Sequence, residues 1–261
     1  MAGYKNDKKC YFCYFLRFEI MFDLTKIKGI IFDYGGTIDS NGKHWAEVLW
    51  GSYQDQSVPV TKSQFREAYV YAERYLALHP VIEAKDNFHV LLQKKVDLQI
   101  NNLIENGFLS QNDKTKAYSL AISAQCYNFA KTLVSKEKPL LDELKSRYPM
   151  VLVSNFYGNV QSVLNDFGLL NYFNDIIESA VVGVRKPDPA IFGLGVQSLD
   201  VPPSSVVIIG DSYTKDIVPA RSLGCYTIWL RGMGWEEDIE GSTADLVIED
   251  FMELKSAFHL D

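Results

Sequence analysis

The sequence is short of cysteine, of positive charge and of long apolar runs. Its 261 residues include four cysteines, Cys10, Cys13, Cys126 and Cys225. Only Cys10 and Cys13 are close in sequence, and no second pair or neighbouring histidine completes a tetrahedral zinc set, so the pair is not read as a metal or redox site. A chain of this length builds a core that needs no disulfide staples, which points to a reducing cytoplasm. Lys and Arg number 26 against 33 Asp and Glu, a net charge of −7. That balance argues against a surface that grips nucleic-acid phosphates or anionic lipid. No run of about 18 uncharged apolar residues occurs, so no membrane span is expected. There is no internal repeat and no low-complexity tract.

Apolar residues make up 47% of the chain and charged residues 23%, which excludes disorder as the main state. The length fits one large domain or two modest ones. The start is unusual. A charged stretch over residues 5–9 precedes an apolar one over 10–22, as at the opening of a signal peptide. Arg17 and Glu19 interrupt the apolar part, however, and no small-residue cleavage site follows. Residues 1–21 read as an N-terminal extension, with Met21 as an alternative start.

Gly29-Ile30-Ile31-Phe32 is an apolar run ending at Asp33 and followed by Gly35-Gly36, the pattern of a buried strand and a tight turn. Similar runs occur at 150–153, 206–209, 226–230 and 246–248, with helical stretches at 139–147 and 189–199 between them. Strands alternating with helices predict parallel crossovers and a sheet covered on both faces. Residues 40–138 carry no clear buried strand. There Thr61-x-x-Gln64 predicts a capping box, and Phe65, Ala68, Tyr69, Ala72, Tyr75 and Leu76 fall on one helical face. A second stripe runs through Phe88, Leu91, Leu92, Val96, Leu103 and Ile104 to a stop at Asn106-Gly107. A third helix is expected over 114–134. An all-helical module is thus inserted in an α/β domain directly after its first strand.

Ligands of open parallel sheets bind at the carboxyl ends of the strands. Here those ends are polar: Asp33, Ser154-Asn155, and Gly210-Asp211-Ser212 with Asp216 five residues after Asp211. Lys186 lies in Arg185-Lys186-Pro187-Asp188-Pro189. If the strands are neighbours, three carboxylates, one hydroxyl and one ammonium converge. Clustered carboxylates repel, and a bound Mg²⁺ relieves the repulsion. Such an ion, with a lysine and a hydroxyl, would hold the oxygens of a phosphoryl group, and a facing carboxylate is a candidate nucleophile.

Phe32-Asp33-Tyr34-Gly35-Gly36-Thr37-Ile38-Asp39-Ser40 resembles the first motif of the haloacid dehalogenase-like hydrolase superfamily. Val151-Leu152-Val153-Ser154-Asn155 resembles the second. Lys186 with Pro187-Asp188-Pro189 and Phe192 resembles the third, and Gly210-Asp211-Ser212-Tyr213-Thr214-Lys215-Asp216 the fourth. The resemblance implies a Rossmann-like parallel-sheet core at 22–40 and 138–261, with an all-helical cap at 41–137 that closes over the substrate. It implies a Mg²⁺-dependent phosphohydrolase acting on a small phosphorylated metabolite. Asp33 would take the phosphoryl group. Asp33, the Gly35 carbonyl, Asp211 and Asp216 would form the metal site, with Thr37, Ser154, Asn155 and Lys186 on the substrate side.

The pattern breaks at Gly35. Phosphatases of this superfamily carry there a second aspartate that protonates the leaving group and then activates water. General acid/base catalysis contributes typically 10²–10⁴-fold, roughly 3–5 kcal/mol of barrier. Three readings follow: a phosphohydrolase that tolerates the loss or borrows a donor; another reaction of the superfamily, such as dehalogenation; or a non-catalytic protein that binds a phosphorylated ligand. Asp39 and His44 are donor candidates by nearness. Asp39 also reads as a turn or capping residue, and His44 as a hinge or surface residue. Replacing Gly35 by Asp would strain the chain if Gly35 adopts angles that disfavour a side chain. Trp45, Trp50 and Tyr53 either line a pocket or pack helices, and Arg231 either touches an anionic substrate or is a solvated loop cation.

Overall fold

In the computed structural model, residues 23–232 and 242–260 are described. Cys10, Cys13, Met21 and the 1–21 extension lie outside them. Six short strands form one sheet: β1 (Gly29–Phe32), β2 (Met150–Ser154), β3 (Asp175–Glu178), β4 (Val206–Gly210), β5 (Tyr226–Leu230) and β6 (Leu246–Ile248). Their order is β3-β2-β1-β4-β5-β6, and every pairing is parallel. β1, β2 and β4 are buried along their whole length, as central strands covered on both faces must be. The chain moves outward from β1 through β2 to β3, then crosses back to lay β4 on the other side of β1. The carboxyl ends of β1 and β4 therefore flank the point where strand order reverses, where open α/β sheets form a ligand crevice.

β3 was not among the expected strands. Only Ile176 and Ile177 are apolar in it, its first residue is exposed, and it stands at the sheet edge. An edge strand needs less apolar surface than a central one, so its sequence signal is weak.

Between β1 and β2 lie four helices: α1 (Trp45–Asp55), α2 (Lys62–Leu78), α3 (Phe88–Glu105) and α4 (Asp113–Arg147). The α2 capping box forms as expected: the Gln64 N–H donates to Thr61 Oγ1 and the Thr61 N–H to Gln64 Oε1. Phe65, Ala68, Tyr69, Ala72 and Leu76 are buried on one α2 face, whereas Tyr75 is only half-buried. The expected stop after α3 is present, with Gly107 at φ +72°.

α4 departs from expectation. The two helical segments predicted at 114–134 and 139–147 are one helix of 35 residues with Pro139 inside it. Proline costs an internal helix one hydrogen bond and some strain. Buried Ala130 and Val134 before it, and Leu140, Leu141 and Leu144 after it, hold the helix on a single continuous core.

The two sheet faces divide by strand alternation. Ile30, Phe32, Leu152, Val207 and Ile209 join one core with the buried faces of α1–α4. Ile31, Val151, Val153 and Ile208 join another, closed by Ile191, Phe192, Val196 and Leu199 of a helix spanning Ala190–Leu199. The fold is α/β, a Rossmann-like parallel sheet with an inserted all-helical region. No helix among the described residues is long and apolar enough to cross a membrane.

Candidate active site

Asp33 is the first residue beyond β1, and its N–H donates to the Ile209 carbonyl of β4 (2.9 Å). The chain then makes a tight turn in which the Tyr34 carbonyl accepts from the N–H of Ile38 (2.9 Å) and of Thr37 (3.2 Å). That turn brings Thr37 back onto Asp33, so its Oγ1 lies 3.0 Å from Asp33 Oδ2 and 3.3 Å from Asp211 Oδ1. Gly36 has φ +102°, and a Cβ there would fall 2.3 Å from Asp211 Oδ2. Only glycine lets the Asp211 carboxylate lie against the turn.

Asp211 follows β4, and Trp229 Nε1 donates to its carbonyl oxygen (2.8 Å). Asp216 sits on a wide, π-type turn over Tyr213–Ile217. Its Oδ2 accepts from the Ser212 N–H (3.0 Å). Turns of this width occur often at functional sites. Lys186 reaches the cluster from the third motif: Nζ donates to Asp33 Oδ1 (2.5 Å) and to Asp216 Oδ1 (2.7 Å), and the side chain lies over the Phe192 ring. The Asn155 amide spends both ends on Lys186, donating to its carbonyl (3.1 Å) and accepting from its N–H (2.9 Å).

Asp33, Asp211 and Asp216 each offer an oxygen, and these atoms lie within 4.8 Å of one another. Burial pushes the Asp211 carboxyl well above its usual range, and neighbouring Asp33 and Asp216 push the same way. Burial likewise raises Asp216 to about 6 against the pull of Lys186. Burial lowers the Lys186 ammonium, but the charges of Asp216 and Asp33 outweigh it, so its pKa rises. Three carboxylates share one ammonium. A set of hard oxygen donors with negative charge in excess is the chemistry that suits Mg²⁺.

The structure thus brings together Asp33, Thr37, Lys186, Asp211 and Asp216. Ser154 is buried at the end of β2, beside β1. The Asn155 side chain reaches the cluster through the Lys186 backbone. Gly35 is not among the residues with positive φ, so its angles admit a side chain. His44 caps α1, its Nδ1 accepting from the Ala46 N–H (3.1 Å). Trp45 and Trp50 pack edge-on or tilted against Phe88 and Phe65, and Tyr53 is buried with its hydroxyl donating to Gln99. Arg231 pairs with Glu249 (2.6 Å) on an exposed loop.

One group escaped the sequence reading. Lys95 of α3 and Glu73 of α2 form an ion pair (2.7 Å), and the hydroxyl of Tyr157, just after β2, donates to Glu73 (2.7 Å). Lys95 is buried and lies over the Tyr157 ring. Charged residues on amphipathic helices read as solvated, and only the tertiary contact between insert and core shows otherwise.

The family model for haloacid dehalogenase-like hydrolases matches residues 27–224. Haloacid dehalogenase-like hydrolase domain-containing protein 3 of Danio rerio is 47% identical over 73 residues, 28% of this chain and 30% of that protein. Its Mus musculus and Bos taurus counterparts are likewise covered over only 43% of their length. Phosphoglycolate phosphatase of Pectobacterium atrosepticum is 24% identical over 241 residues, 90% of this chain and 93% of that protein. Among solved structures, the HAD-hydrolase YfnB of Bacillus subtilis bound to magnesium is similar with a TM-score of 0.55 at 20% identity, over 90% of this chain and 99% of that one. That likeness is one of fold.

Proposed function

The chain belongs to the haloacid dehalogenase-like hydrolases, and from that premise we propose that it is a Mg²⁺-dependent phosphohydrolase acting on a small phosphorylated metabolite through Asp33. One observation carries the reading. The Asp33 carboxylate stands at the strand-order reversal with Lys186 on one oxygen and Thr37 on the other, inside a cluster with Asp211 and Asp216.

Asp33 attacks phosphorus, the bond to the leaving oxygen breaks, and an aspartyl phosphate forms; water then releases phosphate and restores the carboxylate. Lys186, Thr37 and Ser154 hold the phosphoryl oxygens, and Asn155 holds the Lys186 backbone. Mg²⁺ bound by Asp33, Asp211, Asp216 and the Gly35 carbonyl would supply positive charge to the transferring group. Residues 41–137 act as the cap and exclude water from a core at 22–40 and 138–261. The cytoplasm is the proposed compartment, in keeping with the free thiols of buried Cys126 and Cys225.

The test is phosphate release from aryl, acyl and alkyl phosphates with and without Mg²⁺. The expected result is Mg²⁺-dependent turnover that falls at least about 10³-fold in Asp33→Asn, consistent with loss of a nucleophile. Gly35 favours one rival, a pocket that binds a phosphorylated ligand without reaction. Saturable binding with no release from any ester would select it. Halide release without metal would select the carbon–halogen branch.

A further inference from the structure

Six aspartates and glutamates are buried among the described residues: Asp33, Asp39, Asp86, Glu137, Glu178 and Asp216. Four have evident work. Asp33 and Asp216 hold Lys186, Asp86 pairs with Lys94 (2.6 Å), and Glu178 accepts from the N–H of Gly158 (2.5 Å). Asp39 and Glu137 have no ammonium partner among the described residues.

Asp39 stands at the gap left by Gly35. The turn after β1, bent at Gly36 (φ +102°), folds Asp39 back beside position 35, where the Asp39 carboxylate accepts from the Gly36 N–H. A Cβ on Gly35 would have Asp39 Oδ2 at 4.0 Å, and nothing else beyond its chain neighbours within that distance. Asp39 is also fixed in place. Its Oδ1 accepts from the Gly36 N–H (2.7 Å) and its Oδ2 from Trp45 Nε1 (2.9 Å). A carboxylate offers about four lone-pair positions, so two accepted bonds leave it able to take a proton. The bond from Gly36 fits the turn or capping role read from the sequence.

We propose that Asp39 is the catalytic acid/base of this chain, standing in for the side chain that Gly35 lacks. As Asp33 bonds to phosphorus and the bond to the leaving oxygen breaks, the Asp39 carboxyl gives its proton to that oxygen, and the alcohol departs neutral. Asp39, now a carboxylate, takes a proton from the incoming water as its oxygen bonds to phosphorus and the bond to Asp33 breaks. Both carboxyl groups then stand as they began.

The inference rests on the phosphohydrolase reading, and a leaving-group series on the full chain with Mg²⁺ separates the two. In the wild type, kcat/KM should vary little from nitrophenyl to simple alkyl phosphates, because the acid offsets a poor leaving group. Asp39→Asn should lose about 10²–10⁴-fold on alkyl phosphates and much less on nitrophenyl or acetyl phosphate. Trp45→Phe, which removes a donor to Asp39 but keeps the carboxyl, should retain the shallow dependence. Adding Gly35→Asp to Asp39→Asn should recover alkyl phosphate turnover.

A wild type whose rate already falls steeply with leaving-group pKa overturns the assignment without any variant having to fold. So does an Asp39→Asn protein that slows every substrate equally, or one in which only Glu137→Gln steepens the dependence. Absence of Asp33-dependent release even from acetyl phosphate would instead sink the phosphohydrolase reading itself.

Discussion

At the scale of single residues, the site depends on what glycine permits. Gly36 holds φ +102° with the Asp211 carboxylate directly over it. A methyl group there forces Asp211 away from Thr37 and puts an L-residue in a region that costs of order 1–3 kcal/mol. Gly36→Ala should therefore lower stability by about that amount and weaken Mg²⁺ binding. A protein that binds Mg²⁺ only when folded is stabilised by about 2.7 kcal/mol at a hundred times Kd. The Mg²⁺-induced rise in Tm should shrink or vanish in the variant; an undiminished rise would show that Asp211 does not serve the ion. Asp33, Asp211 and Asp216 were readable as a group because they stand at or soon after the ends of β1 and β4, whereas Lys186, in the loop beyond the unexpected β3, was readable only through its motif. The role of Asp39 was not readable at that level. Its nearness to Gly35 in sequence was plain, but that the turn folds its carboxylate back beside position 35 shows only in the structure.

At the scale of elements, α4 couples the helical insert to the sheet, and it carries Glu137 into the interior. Glu137 is 1% exposed, and its Oε2 has no hydrogen-bond partner among the described residues. Burial pushes it up to about 9, with Asp39 and Asp250 adding to the shift and Lys136 opposing it. The folded value exceeds the ordinary one, so the native state holds this proton more tightly than the unfolded chain. Stability contributed this way is complete below the ordinary carboxyl range and is lost as pH rises toward about 9. The slope is at most about 1.4 kcal/mol per pH unit. Glu137→Gln removes the titration, so the variant should gain on the wild type steadily from about pH 5 to 9 in urea melts. Parallel stability curves would refute this. The helix itself shows where sequence patterns fail: Pro139 reads as a helix start, and only burial on both sides of it explains why the helix runs through. β3 failed for the opposite reason, too few apolar residues at an edge that needs few.

At the scale of the molecule, the alternation of apolar strands and helices made the α/β class readable, and the strandless stretch after β1 made the insert readable. The meeting of insert and core at Glu73, Lys95 and Tyr157 was not, because it joins residues 84 positions apart across two elements and a loop. The whole arrangement converges on one place, the reversal of strand order between β1 and β4, where three acidic side chains and a lysine gather without enough positive charge to balance them. There, on the phosphohydrolase reading, Asp33 accepts phosphorus. The most direct measurement is reaction with radiolabelled acetyl phosphate, acid quench, and mapping of the label by proteolysis and mass spectrometry. The predicted result is a Mg²⁺-dependent, hydroxylamine-sensitive phosphoryl group on Asp33, absent from Asp33→Asn. Labelling at another residue, or turnover of acetyl phosphate by Asp33→Asn at the wild-type rate, would contradict it.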